Sequence, residues 1–104
     1  MTHHSNLKFA FVARIKAREG KESELRKLMT GAVELANAEE GTEVWFSVAT
    51  GDDTFWVFDA FPSLEARQAH AEGEIVKALN ENSNLISGAP EIMPADVLAS
   101  KLPH

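Results

Sequence analysis

The chain has 104 residues, of which 10 are basic and 16 acidic, so its formal net charge is −6 with histidine neutral. This length fits one domain over residues 1–104, and 44% hydrophobic with 25% charged residues is typical of globular proteins rather than disordered ones. The lack of cysteine excludes disulfides and thiolate metal sites, and the acidic balance argues against nucleic acid as a partner, because phosphate binding requires clustered Lys and Arg.

The first half of the chain predicts a strand, a helix and a hairpin. Beyond an N-terminal tail of residues 1–6, apolar residues alternate from Leu7 to Ala17 with the period of a strand. From Lys21 to Ala38 they recur every three or four positions, as on the buried face of an amphipathic helix. Thr42–Thr50 and Thr54–Phe61 are rich in β-branched and aromatic residues and flank a Gly-Asp-Asp turn, which predicts a hairpin.

The second half predicts one more helix and one more strand. Pro62 ends the hairpin, and Ser63 is a good N-cap for a helix that runs from Leu64 to about Asn82. Ile92–Leu102 predicts a weaker strand, interrupted by Pro94. The order βαββαβ favours a ferredoxin-like α+β sandwich, in which an antiparallel four-stranded sheet carries two helices on one face.

Both faces of the predicted hairpin carry large apolar side chains. Alternate residues of its second strand point to opposite faces, with Phe55, Val57 and Phe61 on one and Trp56, Phe58 and Ala60 on the other. Two helices cover only one face, so the other would expose several aromatic side chains of roughly 150–250 Å² each, more than a soluble monomer usually shows. We therefore expect a homodimer packed sheet to sheet as a dimeric α/β barrel, unless the C-terminal segment of a monomer covers this face.

Neither a membrane nor a metal ion is predicted as a partner. No apolar run approaches the ~20 residues that a membrane span requires, and the N-terminus lacks the apolar core of a signal peptide, which predicts a cytoplasmic location. His3 and His4 are adjacent, so their side chains point different ways in an extended chain and do not form a metal site. The acidic residues Glu39, Glu40 and Glu43 are interpreted as a solvated connection.

The middle of the chain carries a family resemblance. The segments GTEVWFSVATGDDTFWVFDAF (Gly41–Phe61) and PSLEARQAHAEGEIVKAL (Pro62–Leu79) resemble members of the antibiotic biosynthesis monooxygenase (ABM) superfamily, and the similarity extends from about Lys8 to Leu102. In such proteins a glycine opens the second strand, an acidic residue lies near the end of the third, and a histidine lies two turns into the second helix. The matching positions are Gly41, Asp59 and His70.

This resemblance implies a small oxygenase that acts, without metal, flavin or haem, on a quinol, phenolic or polyketide-type ring with dioxygen. Such a protein binds the ring in an apolar pocket, helps to remove a proton and stabilises the anion, which passes an electron to dioxygen. Asp59-Ala60-Phe61 stands where many relatives have Glu-x-Trp, and His70 and Asn80 stand where haem-degrading relatives have a Trp and an axial His. The alternative is a non-catalytic dimeric barrel that binds a small aromatic ligand or has a stress or structural role.

Spacing along the chain gives an independent reason to pair Asp59 with His70. Asp59 precedes Pro62 by three residues, about 10 Å back along the strand at ~3.3 Å per residue. His70 follows Ser63 by seven residues, about 10 Å along the returning helix at ~1.5 Å per residue, so the two lie at the same height. A helical wheel for one continuous helix, however, puts His70 roughly 120° from the centre of its apolar stripe, at the margin of the stripe or beyond, and the alternative to a functional role is a surface pair with Glu74.

Six further residues are candidate substrate-binding groups. Arg67 lies closer to the apolar stripe and is a candidate to hold an oxyanion or carboxylate, or to form a salt bridge with Asp59 or Glu65. The two tryptophans are candidates to stack on a ring, although at least one is expected in the core or the dimer interface. With Arg67, the candidate set is Trp45, Trp56, Phe58, Phe61 and Asn6.

Overall fold

The structure is a computed structural model that describes residues 7–103. Asn6, His3 and His4, which the sequence singled out, lie outside the described residues. The strands form one antiparallel sheet in the spatial order β2-β3-β1-β4, with the helical segments on one face, so the predicted ferredoxin-like α+β fold is confirmed. The strands are β1 (Phe9–Lys16), β2 (Val44–Ala49), β3 (Thr54–Phe61) and β4 (Glu91–Asp96). The sheet is not closed, because β2 and β4 are its free edges.

Each of the two predicted helical segments is divided by a break. The first comprises α1 (Glu22–Gly31) and α2 (Val33–Asn37), and the second comprises α3 (Leu64–Ala71) and α4 (Glu74–Glu81). A continuous helix from Leu64 to Asn82 was therefore wrong, since the backbone becomes extended at Gly73, where α4 begins anew. Among residues 7–103, no helix is long and apolar enough to cross a membrane.

Strand β3 has the bounds and the two faces that its sequence predicts. Its inner face, toward the helices, presents Phe55, Val57, Asp59 and Phe61, and all four are buried. Antiparallel pairing with β1 places Phe11 directly opposite Asp59, so these two residues share the inner face. The core forms between this face and the helices around fully buried side chains such as Ile15, Leu25 and Phe61.

Strand β4 runs through its proline instead of being interrupted there. The Val97 N–H donates to the Lys8 carbonyl at 2.9 Å, and bonded and non-bonded pairs alternate along the ladder from that point. The pair of Phe11 with Pro94 therefore falls at a non-bonded position, where the missing N–H of an edge-strand proline costs the ladder nothing. The chain leaves the sheet after Asp96, so this strand is shorter than predicted.

The outer face of the sheet is largely uncovered. Phe46 is 56% exposed, Val48 51%, Met93 46% and Phe58 39%, although all four are large apolar residues. The C-terminal segment 97–102 lies against only one end of this face, beside the buried Ala60, and encloses a cavity of about 200 Å³ there. The alternative in which this segment covers the whole face is therefore wrong.

Close packing at Gly41 holds the loop before β2 against α3. A Cβ added at Gly41 would lie 2.8 Å from Ala66 Cβ, closer than real side chains approach, whereas a Cβ added at Gly31 would meet nothing within 4 Å. We predict that Gly41→Ala lowers the free energy of unfolding by about 1–3 kcal/mol, the usual cost of overpacking. The matched change Gly31→Ala is expected to leave it unchanged or raise it by up to ~1 kcal/mol, because alanine favours a helix. Urea denaturation of both variants measures the difference, and equal effects would refute this role of Gly41.

Candidate functional site

Helix α3 has an inward face that is separate from that of α4, and His70 lies on it. Ser63 caps the helix, its Oγ accepting the Ala66 N–H at 3.1 Å as predicted, and Ala66, Arg67 and His70 follow at spacings that share one helix face. His70 is only 6% exposed, whereas Leu64, which the continuous wheel placed in the apolar stripe, is 54% exposed. The alternative of a surface position for His70 was wrong, because the wheel combined residues of two helices that break at Gly73.

His70 lies between two carboxylates. Its Nε2 is 2.9 Å from Asp59 Oδ2, and its Nδ1 is 2.6 Å from Glu39 Oε1. The same Glu39 oxygen accepts the Thr42 hydroxyl at 2.6 Å, and the other Asp59 oxygen, Oδ1, accepts the Phe11 N–H at 3.2 Å. Strand β3, helix α3 and the connection before β2 thus each contribute one ionisable side chain to a single buried network. The structure brings Asp59 and His70 together, as the spacing argument expected.

The two contacts of the imidazole ring differ in quality. The contact with Glu39 has the distance and direction of a hydrogen bond. The contact of Nε2 with Asp59 Oδ2 is close, at 2.9 Å, but it does not have the geometry of a hydrogen bond, and Oδ2 has no hydrogen-bond partner within residues 7–103. A buried carboxylate oxygen in this state retains unused capacity to accept a proton or a hydrogen bond.

The electrostatic surroundings stabilise the protonated ring. Burial by itself lowers the pKa of His70, but the close contacts with the carboxylates of Asp59 and Glu39 and their negative charges outweigh it and raise the pKa above its ordinary value of 6.5. Phe61 and Phe11 lie beside the ring with centroids 5.2 and 6.1 Å away, which keeps water from screening these charges.

An apolar cavity of about 120 Å³ borders the Asp59–His70 pair. It lies between the inner face of the sheet and helices α3 and α4, with Val57, Ile75 and Leu79 among its apolar walls and Ile92 of the edge strand β4 at its rim. Asp59 and His70 are the ionisable residues on its wall. A cavity of about 150 Å³ with similar walls admits benzene, so this space matches one aromatic ring.

Arg67 lies away from this cavity and holds the sheet instead. Its guanidinium donates to the Ala95 carbonyl at 3.2 Å and to the Ala10 carbonyl at 3.4 Å. It also lies over the rings of Phe9 and Phe11, at 5.5 and 5.6 Å. Arg67 therefore joins β1 to β4, and forms neither of the salt bridges that its sequence position suggested.

The predicted aromatic candidates are divided between the two faces of the sheet. Trp56 and Phe58 point to the outer face, opposite to the cavity. Trp45 lies on the inner face next to Asp59 and packs on the core, with an indole N–H that is buried and unpaired within residues 7–103. Phe61 is fully buried beneath His70. None of these four lines the cavity.

Glu39 is the site residue that the sequence did not identify. Its side chain is 21% exposed and paired with His70, so its interpretation as part of a solvated connection was wrong, while its neighbours Glu40 and Glu43 are exposed. Glu74, the alternative partner for His70, instead lies 3.9 Å from Lys77. Within residues 7–103 no group of three metal-ligating side chains could hold an ion, and the carboxylates around His70 contact opposite ring nitrogens instead of converging.

The sequence profile for antibiotic biosynthesis monooxygenases matches residues 9–82, well over half of the chain. The chain belongs to the antibiotic biosynthesis monooxygenase (ABM) family. Among solved structures, a protein of unknown function from Nitrosomonas europaea is 43% identical with a TM-score of 0.91, over 94% of this chain and 96% of that one. A candidate ABM protein from Caulobacter crescentus is 22% identical with a TM-score of 0.76, over 93% and 100% of the two chains, and shares the fold. No curated protein matches this ABM chain.

The raised pKa of His70 makes the stability of this ABM protein depend on pH. Folded His70 holds its proton more tightly than the unfolded chain, so the stabilisation is fully present below about pH 6.5 and is lost as the pH rises through the raised pKa. We predict that the unfolding temperature of the wild type falls as the pH rises from about 6.5 through the raised pKa, and that His70→Gln flattens this fall. Thermal unfolding across this range checks it. A fall of equal size in both proteins would show that other groups cause it.

Proposed function

We propose that this protein is a cofactor-independent monooxygenase that binds a single-ring quinol or phenol and oxidises it with dioxygen. The observation that carries the proposal is a ring-sized apolar cavity with a buried carboxylate and an imidazole together on its wall. Membership of the ABM family supports an oxygenase, and candidate monooxygenases share the fold. Because one fold hosts many activities, the proposal depends on the site.

The size of the cavity favours one ring over the polycyclic substrates that the family resemblance also admits. About 120 Å³ accommodates a benzene-sized group, and a three-ring anthrone is too large for that space. Apolar walls bind the ring by excluding water from it, and a hydroxyl of the ring has Asp59 and His70 as its polar partners.

The proposed first step is a proton transfer. The O–H bond of the substrate breaks, the proton goes to Asp59 Oδ2, and the electron pair stays on the substrate oxygen as a phenolate. Protonated His70 beside Oδ2 stabilises the negative charge that moves from the carboxylate to the substrate, since the surroundings are dry.

Dioxygen then takes electrons from the anion itself. The anion transfers one electron to dioxygen, and the resulting radical pair combines to form a bond between carbon and oxygen. Proton return from Asp59 and loss of water complete the reaction. In balance, one benzenediol and one dioxygen give one hydroxybenzoquinone and one water, so one oxygen atom enters the ring and the other leaves as water. The ring thus supplies all the electrons that reduce dioxygen, and no external reductant is needed.

Oxygen uptake with a panel of single-ring hydroquinones and an anthrone tests this proposal. We predict uptake with single-ring members and little with the anthrone, because the cavity holds one ring. Asp59→Asn and His70→Gln are each expected to lower kcat by ~100-fold or more, the usual loss on removing a general acid or base. Glu74→Gln, an exposed change on α4, is the control and should leave the rate unchanged.

The same panel separates the enzyme from a binding protein. Isothermal titration calorimetry measures ring binding directly, and Ala71→Leu, which fills part of the cavity, should weaken it. Binding of hydroquinones by the wild type without any oxygen uptake would contradict the oxygenase and support the alternative of a non-catalytic ligand-binding protein.

We further propose that a second copy of the chain covers the outer face of the sheet. That face leaves Phe46, Val48, Phe58 and Met93 each at least 39% exposed, a contiguous apolar patch of the kind that marks protein interfaces. A two-fold axis would place the same patch of both copies in contact.

We predict that the protein sediments at twice its monomer mass of 11.4 kDa. Phe46→Asp places a charge in the patch and should give a monomer, because an unpaired buried charge is costly. Leu64→Asp is a matched control, since Leu64 is 54% exposed against 56% for Phe46 but lies on α3. Analytical ultracentrifugation distinguishes the three proteins, and a monomeric wild type would refute the dimer.

A further inference from the structure

The side of His70 opposite Asp59 is closed by a cradle from two separate parts of the chain. Glu39 Oε1 lies 2.6 Å from His70 Nδ1 and also accepts the Thr42 hydroxyl, which fixes the carboxylate in place. The other oxygen, Oε2, lies against Gly73, where an added Cβ would come within 2.8 Å of it. Thus the break between α3 and α4 leaves room for this carboxylate.

The two sides of the imidazole are therefore unequal. The Nδ1 side has a short, aligned hydrogen bond to a carboxylate that has its own hydroxyl partner. The Nε2 side has a close contact with Asp59 that lacks hydrogen-bond geometry, and this side borders the cavity. A ligand hydroxyl can replace the weaker contact more easily than the stronger one, because less hydrogen-bond energy is lost.

We propose that Glu39 is the positioning residue of the site. It holds the imidazole of His70 at Nδ1, so that Nε2 and Asp59 Oδ2 are the pair of atoms that contacts the bound ring. This inference rests on the proposed function in taking an aromatic ring as the ligand. The position of His70 between the two carboxylates does not depend on any reaction. Glu39 does not line the cavity and acts only through the imidazole.

The groups that face His70 from each packed element support this assignment. Asp59 faces it from β3, Glu39 and Thr42 from the connection before β2, and the uncharged rings of Phe11 and Phe61 from β1 and β3. Among residues 7–103 these carboxylates are the charged groups paired with the imidazole, so removing the charge of one leaves the ring dependent on the other.

The test compares Glu39→Gln with Glu40→Gln, which removes an exposed neighbouring charge. NMR of the imidazole carbons and protons follows the titration of His70, which is identified among the four histidines by its loss in His70→Gln. In Glu39→Gln we expect the His70 midpoint to fall toward its ordinary value and the pH profile of oxygen uptake to move with it. kcat should fall by about 10–100-fold with little change in KM, the loss typical of the partner that orients a functional histidine.

A second variant tests whether the effect of Glu39→Gln comes from the lost contact with His70 and not from a folding defect. Gly73→Ala leaves Glu39 in the sequence but places a methyl group 2.8 Å from Oε2, so it should displace the carboxylate and move the His70 titration in the same direction. A His70 midpoint in Glu39→Gln that equals those of the wild type and Glu40→Gln would overturn the proposal. Failure of the proposed function is distinct: the wild type would then consume no oxygen, whereas the His70 titration would still respond to Glu39→Gln.

Discussion

Burial of one imidazole between two carboxylates is the interaction on which the rest of the site depends. Asp59 is 1% exposed and His70 is 6% exposed, so a charge on the imidazole depends on the carboxylates packed against it and not on water. Leaving a buried charge without any partner typically costs about 3–5 kcal/mol. The pair therefore fixes the position of α3 over β3, and with it one wall of the cavity.

The break after α3 divides the second helical segment into parts with different tasks. Helix α3 carries the polar contacts, with His70 toward Asp59 and Arg67 toward the carbonyls of Ala10 and Ala95. Helix α4 supplies apolar wall residues such as Ile75 and Leu79. A straight helix has one continuous inward stripe, and it could not present His70 and this wall to the same cavity.

The sequence predicts the strands better than the helices. Strand β3 ends where Pro62 requires, and its alternation places Asp59 on the inner face, so the height that Asp59 shares with His70 follows from rise per residue alone. The wheel failed for His70 because periodicity is meaningful only within one helix, and the segment breaks at Gly73, where the missing side chain leaves room for Glu39. Glu39 itself lies in a connection without periodicity, where nothing in the pattern separates it from the exposed Glu40.

The proline of β4 has a consequence for how the molecule meets its neighbours. At its non-bonded position in the ladder with β1, the ring nitrogen of Pro94 is directed to the free edge of the sheet, where it offers no donor. An incoming strand would lose a hydrogen bond in the middle of a six-residue edge, so growth of the sheet into open-ended fibres is disfavoured on this side. The β4 edge is therefore a poor template for the backbone of a neighbouring molecule.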